Sequence, residues 1–458
     1  MTAPMPGPRT SLAAFADRLA SSRWRLLTLV LITLGLPLAS LYALRGIRGV
    51  LLGAGAIVGS ITLLAAFSRP FVTLALSLVV FFSGLDSFLP GPVAFGLLGI
   101  VAIRTLFDVL GGRTLDWGSP TFRISLTLLL AIALTSLLVA RSFDQALRPI
   151  RHILWGSLFL VTIAVQADRT WRLRTLMTVS AMAFATSVLV LLYRILSSGG
   201  LVLLEPTGEH RVGVGDPNYT AVVACAFLVP LAHVLGQVPI WARLALSPLV
   251  LLHVLAVILS ASRMGMALLA MTLLVLVLRA RQARPFALLG LAGLGVVLLN
   301  LPAKYWIRFT DLGQLGGILI DRSLRLRQHA LEVGWQLFVE HPWLGVGLGN
   351  FPAETPRYMS VPLWAHNTYL DVAATLGIFG LFAFLVWELA ALSMLHRAYR
   401  LWAIAGRRRD QSLAFSLGMS LFLIYAGAIT LDLAFNPLVW VFMGLAVAAR
   451  RIAETGAQ

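Results

Sequence analysis

A histidine and three arginines stand where polar stretches meet apolar runs, which are positions suited to acid–base work and to holding an anion. His366 lies in WAHNTYLDVAATLGIFG, where a polar loop passes into an apolar run. An imidazole there can take a proton from a hydroxyl near neutral pH, the task of a general base. An interfacial histidine that caps a helix is the other role open to it. Arg211 belongs to HRVGVGDPNYT, in which Asp216 can cap and Pro217 can open the next helix. Arg263 follows the small turn Ser260-Ala261-Ser262 and heads another run, so it adds its charge to the N–H groups of a helix start, which favour anions. For both arginines the alternative is a side chain snorkelling to lipid headgroups. Asp432, in LDLAFNP, is placed either to orient His366 or an arginine, or to cap a helix end. The other seven histidines sit in or at the ends of apolar runs, near a loop, on polar faces or before a proline, and carry less weight. No Asp-x-Asp or clustered ligand set suggests a metal. GVGLGN lacks the strand that a dinucleotide-binding loop needs and reads as a flexible turn at the outer face.

The elements that must position these residues are membrane helices. Of 458 residues, 59% are hydrophobic and only 12% charged, an apolar excess that needs lipid as its solvent. Apolar runs fall near 25–44, 47–66, 71–88, 93–110, 122–140, 150–166, 173–195, 218–235, 242–259, 264–277, 286–301, 368–395, 412–431 and 437–449. The fold expected is therefore a single all-α polytopic membrane domain of about 12 to 14 transmembrane helices. Its formal charge of +17 is spread between the runs and not gathered on one face, which argues against nucleic acid. Lys304 is the only lysine, so most arginines reflect composition and only individually placed ones inform. Cys225 is alone, which rules out an intrachain disulfide. The arginine-bearing N-terminus ahead of a full-length run, with no small-residue cleavage pattern, reads as a retained first helix.

Arginine clusters at Arg169 to Arg174, Arg279 to Arg284 and Arg407 to Arg409 share the side of the N-terminus, so they mark the cytoplasmic face. Arg45, Arg48 and the Arg141 to Arg151 cluster break the rule. The periplasmic face then receives 197–217, the turn at 260–263 and a long loop, 302–365. Within that loop Arg322, Arg325, His329, Glu332, Gln336 and Glu340 make a polar stripe opposite Leu324, Leu331, Trp335 and Phe338. This predicts an amphipathic helix at the outer membrane surface. Arg327 falls on its apolar side, where an unpaired charge must find a partner or a ligand.

EHPWLGVGLGNF, followed by HNTYLDVAATLGIFG with Gly377 and Gly380 about ten residues beyond the His-Asn pair, resembles the signature of the O-antigen ligase and Wzy polymerase superfamily. RVGVGDPNYTA, SASRMGM and SLRLRQHAL are similar to its upstream motifs, and the likeness covers about Arg211 to Leu381. Met264 stands where the family usually has glycine. Leu326-Arg327 replaces its Gly-Arg, so Arg325 is an alternative to Arg327.

The resemblance implies a glycosyltransferase C-like enzyme of the bacterial inner membrane, with its active site facing the periplasm and no cofactor. Its donor would be an O-antigen chain on undecaprenyl diphosphate. The acceptor would be a sugar hydroxyl of the lipid A core for a ligase, or another lipid-linked repeat for a polymerase. One long loop holding the histidine fits the ligase pattern better. A protein O-oligosaccharyltransferase is a third enzyme option. By the same resemblance His366 is the base and Arg211, Arg263 and Arg327 hold the diphosphate; Asn218 and Asn367 of the same motifs, and Asp432 by its placement alone, are the candidate supporting residues. A transporter or flippase is the reading from another class. Such proteins place ionisable groups in broken, repeated helices, whereas these runs look nearly uncharged and no repeat is visible.

The loop assignment is open to a direct check. Cysteines placed in the loop 302–365 should react with an impermeant thiol reagent in cells whose outer membrane alone has been made permeable. Protection at every position would reverse the orientation.

Overall fold

The computed structural model describes residues 65–85, 93–197, 216–260, 262–279, 322–358 and 363–456, with a few isolated positions between 284 and 299. The expected runs at 25–44, 47–66 and 286–301, Arg211, and residues 302–321 of the long loop therefore lie largely or wholly outside the described residues. The described elements are all helical: α1 (Pro70–Ser83), α2 (Val93–Leu110), α3 (Pro120–Ser136), α4 (Phe143–Gln166), α5 (Thr170–Ser197), α6 (Pro217–Leu235), α7 (Ile240–Leu259), α8 (Arg263–Arg279), α9 (Arg322–Glu340), the short α10 (Phe351–Glu354), α11 (Thr368–Ile404), α12 (Arg408–Ala428) and α13 (Pro437–Thr455). Seven of them, α2, α4, α5, α6, α7, α11 and α12, are long and apolar enough to cross a membrane. The chain is an all-α polytopic membrane protein.

Caps set where the helices begin. Asp216 Oδ1 accepts from the Asn218 N–H at 2.7 Å, Asn367 Oδ1 from Leu370 N–H at 3.0 Å and Asn436 Oδ1 from Leu438 N–H at 2.9 Å. Pro217 and Pro437 occupy first-turn positions where no N–H is needed. The helices then pack through small residues. A Cβ on Gly156 of α4 would lie 2.4 Å from the Trp440 ring of α13, and one on Gly265 of α8 would lie 2.4 Å from Ala221 of α6. These close approaches are how helices associate where no hydrophobic effect separates protein from lipid.

At one end of the bundle, acids are shared between arginines. Asp168 meets Arg113 and Arg172 at 3.1 Å each, and Asp410 meets Arg407 at 2.7 Å and also Arg174. Arg279 lies over the Phe415 ring of α12, 5.8 Å from its centre. Two of the clusters read as cytoplasmic, at Arg169 to Arg174 and Arg407 to Arg409, are thus joined, with Arg279 beside them.

Long helix α11 is not the single span that its hydropathy suggests. Gly377 has φ 70° and ψ −171°, and the chain folds back there. The Tyr369 and Phe384 ring centres are 6.2 Å apart, whereas fifteen residues of straight helix would separate their Cα atoms by about 22 Å. Backbone groups released by the break are taken up by the segment after α9. Val346 N–H donates to Ala374 O at 2.9 Å, Gly347 N–H to Thr375 O at 3.0 Å, and Ile378 N–H to Pro342 O at 2.8 Å.

One expectation is corrected. GVGLGN is not a flexible turn: residues 345–350 are buried, wedged between the break in α11, the end of α3 and the start of α4. In α9 the face packed on the protein is Ala330, Val333, Gly334 and Leu337, while Leu331 and Trp335 of the apolar stripe are exposed. The spans are not free of buried charge-bearing groups either, since Glu388 sits inside α11 at 5% exposure.

Gly377 occupies a backbone region that is essentially glycine's alone, and a Cβ there would lie 2.2 Å from Trp343 O. Gly377→Ala should destabilise the protein by about 1–3 kcal/mol from the backbone alone. Gly418→Ala, whose nearest contact would be Leu395 Cβ at 3.9 Å, should be neutral or stabilising by up to about 1 kcal/mol. Melting in detergent that does not distinguish the two variants would refute the account of the break.

Candidate active site

The end of the bundle opposite the shared Asp–Arg pairs is where the chemistry-bearing residues gather. His366 is half-buried and has φ 51°, and among the described residues it is the only non-glycine at positive φ. A bulky residue in that region stores strain and persists only when its surroundings fix it. Those surroundings are visible on both sides of it. Thr368 Oγ1 donates to Leu431 O and accepts from Leu433 N–H, each at 2.7 Å, which pins the turn to the α12–α13 connection. Before it, the Trp364 ring lies 5.0 Å below the Arg148 guanidinium of α4. The cap of α11 is Asn367, so the helix-capping role open to His366 in the sequence belongs to its neighbour.

Two other motifs meet at the starts of α6 and α8. Ser262 Oγ lies 2.6 Å from Asn218 Oδ1 and accepts from Gly265 N–H at 3.0 Å, so Asn218 helps fix the first turn that Arg263 heads. Tyr219 Oη donates to Asn436 Oδ1 at 3.3 Å, joining the starts of α6 and α13. Arg327 is half-buried on α9, almost in line with Gly334, which packs against Leu370 of α11 and Phe351. The Arg325 side chain is outside the described residues.

Arg148, Arg151 and His152 were missed as site residues and appeared only as part of a cluster that broke the orientation rule. They line a cavity of about 520 Å³ together with Tyr219, Thr220 and Asn436, and its remaining walls include Phe81, Phe82, Phe95, Trp155 and Phe184. The signal was present in their spacing, because 148, 151, 152 and 155 recur at i, i+3, i+4 and i+7 and so share one helix face. Arg148 also approaches Asp432. That carboxyl is open to solvent on one side and hemmed in by protein on the others; burial pushes it up to about 6, with Arg148 pulling the other way. Asp371, in the first turn of α11, is close enough for the two carboxyls to repel.

The fold and this gathering define a polytopic membrane protein with a cationic, aromatic-walled cleft beside a strained histidine. Residues 248–385 match the family model described as O-antigen ligase, which supports the O-antigen ligase and Wzy superfamily resemblance read from the motifs. The matched stretch contains Arg263, Arg327, His366 and Asn367, whereas Asn218, Asp432 and Arg148 lie outside it. Among curated proteins, none matches the chain.

A carboxyl raised above its ordinary 3.8 stabilises the fold fully below that value, and the contribution is lost as pH rises through about 6. Asp432→Asn removes this titration. The melting temperature of the wild type minus that of the variant should therefore fall between about pH 4 and 7. A difference that stays flat or rises over that window would place Asp432 in a different environment.

Proposed function

We propose that the chain transfers an oligosaccharide from undecaprenyl diphosphate to a sugar hydroxyl of the lipid A core, at the periplasmic face of the bacterial inner membrane. The observation that carries this reading is His366: strained, fixed from both sides, and set within the stretch that matches O-antigen ligase. In this reading the acceptor oxygen attacks the anomeric carbon while His366 takes the hydroxyl proton. The bond from that carbon to the diphosphate oxygen breaks, and attack from the opposite face inverts the centre. Arg211, Arg263 and Arg327 meet the charge that grows on the leaving diphosphate, a task suited to planar guanidinium forks. These side chains supply the positive charge without a metal. Asn218 and Asn367 act one step back, Asn218 on the Arg263 turn and Asn367 on the start of α11. A transporter would be expected to repeat its broken helix in a second half, and among the described helices only α11 has a non-helical residue inside it.

The test uses cells lacking their own ligase, with lipopolysaccharide ladders as readout and membrane levels checked by immunoblot. The wild type should restore ladders. His366→Ala should abolish them, since general-base catalysis is worth roughly 10² to 10⁴ in rate. Arg263→Lys should be impaired because an ammonium loses the paired contacts to phosphate oxygens. Near-normal ladders from both variants would remove these residues from the mechanism. Failure of the wild type here, with rescue of a polymerase-deficient strain, would move the acceptor to a second lipid-linked repeat.

A further inference from the structure

We propose that Glu388 is a positioning residue for His366, acting through Tyr369 on the helical segment that carries the histidine's turn. The catalytic part of this inference rests on the reading of His366 as the base. Glu388 is 5% exposed within a membrane-spanning helix, a place where a carboxyl needs a partner and marks a functional constraint. Its partner is Tyr369, whose ring centre lies 6.2 Å from that of Phe384, one turn before Glu388, and whose hydroxyl reaches the carboxyl beside Tyr425 of α12. Tyr369 Oη already donates its single proton to Tyr425 O at 3.0 Å. Its lone pairs remain to accept, so the group at 388 that completes the pair is a donor, a carboxylic acid holding its proton.

This pair exists because α11 doubles back at Gly377. Residues 19 apart along the chain meet only when the segment before the break lies against the segment after it. That short segment is held at its far end by the backbone bonds from Val346 and Gly347. At its near end it is held by Thr368 and by Tyr369, which stands one turn from His366. Glu388 therefore fixes the depth and rotation of the turn in which His366 adopts positive φ. The proposed reaction uses neither Glu388 nor Tyr369.

The experiment uses the full chain in detergent, with Glu388→Gln, Glu388→Leu, Tyr369→Phe and the double variant Tyr369→Phe/Glu388→Leu. Gln keeps a donor and should hold kcat within about twofold of the wild type. Leu and Phe should each lower kcat about tenfold with KM for the lipid-linked donor unchanged, the worth of one hydrogen bond to position. The double variant should fall no further than Tyr369→Phe alone, because the tyrosine change already removes the contact with Glu388 together with the bond to Tyr425 O. A second arm does not depend on turnover. In a His366→Cys background, where Cys225 is buried, the rate of maleimide labelling should change several-fold with Leu and Phe and not with Gln. A wild type without transfer activity would sink the functional reading alone. Labelling that ignores Glu388→Leu and Tyr369→Phe, or a loss of kcat that only follows loss of folded protein, would overturn the role of Glu388.

Discussion

Backbone groups inside a membrane have no water to turn to, and the break in α11 is the point where this constraint is hardest to meet. A helix that ends and restarts at one glycine releases carbonyls on one side and N–H groups on the other. Here they are met by a second stretch of backbone, 342–347, which has to lie almost in contact with Gly377. That contact accounts for Gly345 of GVGLGN, while Gly347 and Gly349 meet the end of α3 and the start of α4. Gly345, Gly347 and Gly349 all take positive φ, and a Cβ on Gly345 would lie 2.3 Å from the Thr375 carbonyl carbon. The doubling-back of α11, the depth of His366 and the meeting of Tyr369 with Glu388 all follow from this one interlock of two backbones.

The sequence disclosed the membrane helices well, because each is set by local composition and punctuation. The run at 93–110 coincides with α2, and the starts expected at 218 and 368 fall within one residue of α6 and on α11. Asp216-Pro217, Asn367 and Asn436-Pro437 are cap signals that act within one turn and can be read without knowing the fold. The break at Gly377 was not legible, since a glycine in an apolar helical run is compatible with an unbroken helix. What decides the matter is Trp343 to Gly347 arriving from elsewhere in the chain. Arg148 was hidden for a related reason. Orientation rules count arginines by loop, and an arginine that lines a cavity is indistinguishable by counting from one that anchors a loop.

Helix α9 shows how lipid alters the usual reading of an amphipathic pattern. In water its largest apolar residues would mark the inward face. Here Trp335 is 61% exposed and Val339 57%, while the inward face is built from Ala330, Val333, Gly334 and Leu337. Small residues admit the close approach to Leu370, and the larger ones are turned to a surface that lipid can cover. Arg327 is carried on the side that packs closely. It is therefore held near α11 by contacts with a smooth face, and its reach depends on Gly334 remaining small.

Charge is distributed between the two ends of the bundle in different ways. At one end arginines share acids: Arg113 and Arg172 on Asp168, Arg174 and Arg407 on Asp410, Arg450 on Asp116. Those pairs fasten helices and leave little field directed outward. At the other end α4, α6, α8 and α13 begin, as does the part of α11 after Gly377, so the positive ends of these helix dipoles gather at the end that carries Arg148. Helix dipoles cannot be neutralised by a change of rotamer, and caps at Asp216, Asn367 and Asn436 satisfy single N–H groups without removing the field. An anion brought to that end meets a positive field that the fold had to create in order to start its helices there. Within that field Asp371 and Asp432 stand close enough to repel each other, and Arg148 beside Asp432 offsets part of their charge.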